Sequence, residues 1–344
     1  MSNKKKNIIT FGGGVGAGKF LRGLYNFRSE YILKFVVNTS DDIDIYDVRV
    51  SPDVDSVLYW ISGIIDRQRW WGIKEDTFKM VKSDKSNWFN LGDRDFEYNK
   101  RKKLQLDSGI TLSETINIRK DELKINNVEI FPMTNDKVET YLETDAGLLH
   151  IQEYLIKHKM SPGIKDIKFV DAEDAELYGP IKDALVSSDL IIFCPSNPLI
   201  SVEPILRLKG LQLMINSSNA IKVAISPIVN GLAFQGPILN LLKLKNLDCS
   251  VVGIAEYYKD FIDYFDFDDS QTYDLGSLNL SSVANLNVLD TSISDFNGDF
   301  RLDIILLLED SGTIDAGDSS FFILAFYGRD LSTICLLYTS PSPR

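Results

Sequence analysis

Four short apolar runs in this chain all stop in the same way, at a cluster of small, polar or turn-forming residues, and that shared ending leaves few architectures open. Ile8 to Phe11 runs into Gly12-Gly13-Gly14-Val15-Gly16-Ala17-Gly18-Lys19, and Phe35 to Val37 runs into Asn38-Thr39-Ser40-Asp41-Asp42. Leu190 to Phe193 is followed by Cys194-Pro195-Ser196-Asn197-Pro198, and Val223 to Ile225 by Ser226-Pro227-Ile228-Val229-Asn230-Gly231. Runs that are continuous rather than alternating, separated by helical patterns, describe parallel strands covered on both faces. The carboxyl ends of such strands line the ligand crevice of an open α/β sheet, so all four endings point to one shared site. The expected fold is a Rossmann-like, doubly wound α/β architecture with a mainly parallel sheet.

The second ending opens an acidic stretch. Residues 38–55, NTSDDIDIYDVRVSPDVD, carry six aspartates that no core could hold unpaired. Asp41, Asp42, Asp53 and Asp55 are hard oxygen ligands suited to Mg²⁺ and so to phosphate chemistry. The same residues also describe a solvated acidic loop, because Ser51-Pro52-Asp53 is a good helix start.

The glycine loop comes close to the Walker pattern, with Gly13, four residues, Gly18 and Lys19, but Phe20 stands where a magnesium-binding Ser or Thr is needed. A P-loop NTPase is thereby disfavoured. A dinucleotide fingerprint is not clean either, since counting from Gly12 or Gly14 puts Ala17 or Lys19 at the third glycine. What survives is physical: glycines let the backbone approach a phosphate, and the helix that follows offers free amides and a positive dipole end. A tight strand-to-helix turn without a ligand is the plainer alternative.

Other features place elements. Ala17 to Phe27 and Val54 to Asp66 have helical periodicity, the second capped by Asp53. The aromatic, charged stretch from about 67 to 112 is expected to be a helical insertion over the C-terminal edge of the strands. Within it, Arg94 between Asp93 and Asp95 is either a surface ion pair or a phosphate grip, and Trp70-Trp71 suits packing better than ring stacking. Residues 1–297 are expected to form one α/β domain. The end, 298–344, loses the strand and helix rhythm, and Leu336 to Arg344 resembles an appended tail. No serine sits in a Gly-x-Ser-x-Gly elbow, and His150 and His158 lie in an unremarkable segment, so a Ser or Cys triad has little support.

A net charge of −12 argues against a nucleic-acid surface. Three cysteines without metal-like spacing fit a reducing cytoplasm, and no apolar run approaches the length needed to span a membrane.

Taken in order, these motifs resemble the 2-phospho-L-lactate transferase family of deazaflavin coenzyme biosynthesis. The resemblance is carried by Gly12 to Lys19, Asn38 to Asp42, Ser51 to Asp55, Arg69-Trp70-Trp71-Gly72-Ile73, Asp76-Thr77-Phe78 and Leu91 to Asp95. It continues through Pro132-Met133-Thr134, Pro195 to Pro198 with Ser201, Ser226-Pro227-Ile228 and Ala255-Glu256-Tyr257-Tyr258. The family often has His-Gly where this chain has Tyr46-Asp47.

The resemblance implies transfer of a phospholactyl or phosphoenolpyruvyl-type group from a guanosine diphosphate-linked donor to the ribityl hydroxyl of 7,8-didemethyl-8-hydroxy-5-deazariboflavin, with release of GMP. On that reading Asp42 and Asp55 hold Mg²⁺, while Asp55 and Arg94 meet the deazaflavin. Gly13, Gly14, Gly16, Lys19, Asn38, Ser196, Asn197, Ser226 and Gly231 hold the guanosine diphosphate part. A homodimer binding small molecules, with no nucleic acid or membrane partner, completes the expectation. The alternative is a nucleotide-sugar-binding regulator of a related family, which the Trp70-Trp71, Asp76-Thr77-Phe78 and Leu91 to Asp95 block disfavours.

Overall fold

The computed structural model describes residues 5–82, 87–229, 232–233 and 237–268, and strands at 288–294, 303–309, 321–326 and 334–339. The order begins β1 (Asn7–Gly12), α1 (Gly14–Tyr25), β2 (Ile32–Val37), a hairpin of β3 (Ile43–Ile45) and β4 (Val48–Val50), and α2 (Pro52–Ser62). It continues with α3 (Lys79–Lys82), α4 (Asp93–Asp107), α5 (Leu112–Glu122), β5 (Val128–Pro132), β6 (Glu139–Thr144), β7 (Gly147–His150), β8 (Ile164–Val170), α6 (Pro180–Val186) and β9 (Leu190–Phe193). Then come α7 (Glu203–Leu206), α8 (Leu211–Ser217), β10 (Ile221–Val229), β11 (Leu232–Ala233), α9 (Ile238–Leu244), α10 (Val251–Tyr258) and β12 (Tyr264–Asp268).

The expected parallel sheet is present. Strands run in the order β10-β9-β1-β2-β5, all parallel, with β12 parallel to β10 and the short β11 antiparallel to it. The chain moves outward from β1 through β2 to β5, then returns to add β9 on the other side of β1. The loops after β1 and β9 therefore flank the point where the strand order reverses, which is where an open α/β sheet opens its crevice.

Each strand buries both faces, because successive side chains point to opposite sides of the pleat. On one face Ile9, Phe11, Val36, Ile191 and Phe193 join the larger core, with α7 to α10. On the other, Ile8, Leu33, Phe35, Val37 and Ile192 pack beneath α1 and α2 with Phe20, Leu21, Leu24, Val54 and Leu58. Each such side chain contributes roughly 1.5–3 kcal/mol of burial. That is why continuous apolar runs, and not alternating ones, mark these strands.

Element boundaries differ from the periodicity in instructive ways. Helix α1 begins at Gly14, so the glycines themselves form its first turn. Helix α2 begins at Pro52 after Ser51, which places Asp53 and Asp55 in the first turn instead of making Asp53 the cap. Both carboxylates thus meet the positive end of the helix dipole. The insertion holds α3 and α4, and α4 packs against the β3–β4 hairpin. Tyr46 and Asp47 at the hairpin tip have φ of 53° and 58°, the pair of positive angles that a two-residue I′ turn requires. A small antiparallel sheet in the order β7-β6-β8 lies against the acidic loop: Thr140 N donates to Ser40 O at 2.7 Å, and the two hydroxyls meet at 2.8 Å. Past residue 287 the described segments form an antiparallel sheet, β13 (Val288–Ser294), β14 (Asp303–Glu309), β15 (Phe321–Phe326) and β16 (Ile334–Thr339).

Candidate functional site

The glycine loop and the first turn of α2 meet face to face. A Cβ on Gly13 would collide with the Asp53 carboxylate, and one on Gly16 with the Pro195 carbonyl, so both positions need glycine for space. Ser196 secures the loop from β9: its hydroxyl accepts from Gly13 N at 3.1 Å and donates to Gly13 O at 2.9 Å. Asn38, at the end of β2, donates its amide to Asp53 Oδ2 at 2.9 Å and accepts from Ser40 N and Oγ. Asn38 thereby ties the end of β2 to the first turn of α2, and Ser196 ties the end of β9 to that of β1.

The acidic pair lies beside this. Ser51 donates its hydroxyl to Asp42 Oδ2 at 2.8 Å and its backbone N–H to Asp55 Oδ2 at 3.1 Å, joining the two carboxylates through one buried residue. Arg49 Nε approaches Asp42 Oδ2 at 3.4 Å. Gln152 Nε2 donates to Asp41 Oδ2 at 3.1 Å. His150 lies in the same layer, its Nδ1 accepting from Gln152 N, and burial holds its imidazole below the usual range.

Burial dominates the electrostatics. It pushes Asp42 and Asp53 up to about 6, against the opposing pull of Arg49 on the first and of Asn38 on the second. It drives Asp41 well above the usual carboxylate range, helped by the charges of Asp53 and Asp42. Asp41 Oδ1 and Asp42 Oδ1 are buried with no hydrogen-bond partner in the protein. Two orphaned carboxylate oxygens, in a cluster where Asp41, Asp42, Asp53 and Asp55 are all buried beside Arg49 and Lys102, fit a hard cation. Among the described residues no three of His, Cys, Asp and Glu gather into a complete cage. A Mg²⁺ ion needs none, because it keeps water and takes one or two carboxylates together with substrate phosphates.

A second polar cluster joins α2 to α4. Lys102, 1% exposed, reaches Asp55 Oδ2 at 3.0 Å and Oδ1 at 3.2 Å. Tyr59 donates its hydroxyl to Asp95 Oδ1 at 2.6 Å, and Asn99 Nδ2 donates to the same oxygen at 3.0 Å. Burial, then the charge of Asp55, pushes Asp95 up to about 7. Asp95, Asn99 and Lys102 fall at helical spacing on one face of α4, a buried polar stripe in an otherwise hydrophilic helix. That stripe is the signal by which sequence reasoning could have found Lys102, and it was missed.

The remaining expected residues divide. Gly14 takes φ of 71° at the loop turn. The Lys19 ammonium lies 3.0 Å from the Trp70 ring centroid and 5.6 Å from that of Trp60. Arg94 is exposed at the start of α4, where its N–H donates to Asp76 Oδ1 and its guanidinium to Lys74 O. Asn197 caps a π-helical turn over Pro198–Val202 through Leu199 N, and its Nδ2 is buried without a partner. The Ser226 hydroxyl turns back onto Ile228 of its own strand. Gly231 lies outside the described residues.

Comparison with known proteins decides the family. The sequence profile of 2-phospho-L-lactate transferase CofD matches residues 8–274. The chain belongs to the 2-phospho-L-lactate transferase family. It is 34% identical to the 2-phospho-L-lactate transferase of Methanosarcina mazei, covering 78% of this chain and 88% of that one. With the Methanocaldococcus jannaschii transferase it shares 35% identity, covering 76% and 86%. In fold it is similar to the crystal structure of an upf0052 family protein from Bacillus halodurans, with a TM-score of 0.53 and 18% identity over 82% of this chain and 86% of that one. Membership in this transferase family implies small-molecule substrates. No described helix is long and apolar enough to cross a membrane.

Proposed function

We propose that this chain transfers a 2-phospholactyl or phosphoenolpyruvyl-type group from a guanosine diphosphate-linked donor to the ribityl hydroxyl of 7,8-didemethyl-8-hydroxy-5-deazariboflavin. The hydroxyl oxygen attacks the phosphorus that bears the three-carbon acid, the bond from that phosphorus to the bridging oxygen breaks, and GMP leaves. The observation that carries this reading is the joining of Asp42 and Asp55 through Ser51, beside a glycine loop held against Asp53.

Attack of an alcohol on a diphosphate demands positioning and charge neutralisation more than a covalent nucleophile. The residues present match that demand. Gly13, Gly14 and Gly16 bring backbone amides and the α1 N-terminus to the diphosphate, and Ser196 and Asn38 keep that loop in place. Asp42, with the free oxygen of Asp41 beside it and Asp55 joined to it through Ser51, would hold Mg²⁺. When bound, the ion supplies positive charge against the donor phosphates. Asp55 orients the acceptor hydroxyl and takes its proton, and Arg94 at the open end of α4 meets the deazaflavin.

Incubating the purified protein with the deazaflavin, each three-carbon donor and Mg²⁺, followed by mass analysis, tests the proposal. The expected product is the deazaflavin plus one phospho-acid unit, with an equivalent of GMP. Thermal shift separates the alternative: the deazaflavin and guanosine diphosphate should raise the melting temperature and UDP-sugars should not. Stabilisation by UDP-sugars alone would turn the assignment to the nucleotide-sugar-binding regulator.

A further inference from the structure

The pairing of Lys102 with Asp55 is the interaction that the chemistry above does not require. Lys102 comes from the middle of α4 and is 1% exposed, yet places its ammonium within 3.2 Å of both oxygens of Asp55. A buried ammonium is costly to desolvate, and a hydrophobic residue of similar length would dock α4 on α2 at least as well. The adjoining contacts hold the lysine's helix rigidly. Tyr59 and Asn99 converge on Asp95 Oδ1, Asn99 also donates to the Asp95 backbone carbonyl at 2.9 Å, and the Lys102 ammonium lies 5.1 Å from the Tyr98 ring centroid. Asp55 is held from a second direction by Ser51 N. Two donors from different elements thus fix the rotation of one carboxylate.

We propose that Lys102 is a positioning residue for the transfer reaction, setting the orientation of the Asp55 carboxylate toward the acceptor hydroxyl. The inference rests on the function proposed above and extends it from α2 to α4. Lys102 touches no substrate in this assignment. It acts by keeping the Asp55 carboxylate in one rotamer, with Ser51 as the second hold, while the donor subsite at the glycine loop is built from other residues.

The test compares the parent protein with Lys102→Met and Lys102→Gln, the latter keeping one donor for Asp55. Guanosine diphosphate affinity is measured by calorimetry, and kcat and both KM values by product formation. Lys102→Met should lower kcat by about 10- to 100-fold, as loss of an outer partner of a functional carboxylate generally does, with guanosine diphosphate affinity measured without Mg²⁺ unchanged. Lys102→Gln should fall between the two. Parent-like kcat in folded Lys102→Met, or equal losses of guanosine diphosphate binding and kcat, would overturn the proposal, because the pair would then be only a strut. Failure of both variants to fold would also make it a strut. A parent protein that transfers nothing to the deazaflavin would instead refute the functional reading, and this inference with it.

Discussion

Lys102 meets both oxygens of Asp55 across 47 residues of sequence, and that contact changes what a substitution at Asp55 would do. From sequence, Asp55→Asn reads as a change confined to chemistry. In the structure it leaves a buried ammonium without its counter-charge, and breaking one partner of a buried pair costs about 3–5 kcal/mol. We expect Asp55→Asn to lose transfer and also to melt earlier than the parent, with guanosine diphosphate binding retained at low temperature. Adding Lys102→Met should recover most of the melting temperature and none of the activity. Transfer by Asp55→Asn at the parent rate would remove Asp55 from the mechanism.

Gly13 has an ordinary extended backbone, with φ of −170°, so space rather than conformation excludes a side chain there. Gly13→Ala pushes its methyl group into the Asp53 carboxylate, which Asn38 holds in place. The expected result is a folded protein with guanosine diphosphate affinity reduced about tenfold or more, a loss on the order of 1.4 kcal/mol. Calorimetric titration measures it directly, and an unchanged dissociation constant would mean the donor does not use this loop.

The buried carboxylates predict an unusual pH dependence. Asp42 and Asp53 are raised from 3.8 to about 6, and Asp95 from 3.8 to about 7. The folded protein therefore keeps protons that the unfolded chain has already released. The stability these protonated groups contribute is full below the unfolded value and is lost as pH rises through 6 to 7. For Asp42 alone the loss is about 3 kcal/mol. The ligand-free protein should melt at a lower temperature at about pH 8 than at about pH 5, and Asp42→Asn should flatten that slope. Added Mg²⁺ should restore stability mainly at the higher pH, where the carboxylates are ionised. Equal Mg²⁺ effects at both pH values would argue against these ligands.

The hairpin tip offers a change expected to help folding. Asp47 has φ of 58° in the second position of the I′ turn, where glycine adopts the angle without steric penalty. Asp47→Gly should stabilise the protein by up to about 1 kcal/mol, since the turn strain relieved exceeds glycine's extra unfolded-state freedom. Transfer activity should not change, because Tyr46, whose hydroxyl accepts from Phe89 N at 2.8 Å, is left intact. Chemical denaturation supplies the measurement.

What the linear chain determined is the layout. Apolar runs such as Ile8 to Phe11 and Leu190 to Phe193 could only be strands buried on both faces. The glycines and aspartates that follow such runs mark strand ends, because glycine weakens a strand interior and a buried carboxylate needs partners that an apolar strand does not supply. Period and composition are local properties, so Gly13, Ser196, Asn38, Asp42 and Asp55 were all legible as candidates for one site. The partners of those residues were decided by tertiary structure alone. Lys102 and Asp95 look like solvated charges on α4, and Gln152 and His150 like unremarkable residues around the end of β7, until packing carries them into the site. The two indole rings beside the Lys19 ammonium, those of Trp60 and Trp70, are likewise partners that only packing supplies. A buried charge is stable only beside a partner, and which partner arrives depends on how distant helices dock, which no local spacing records.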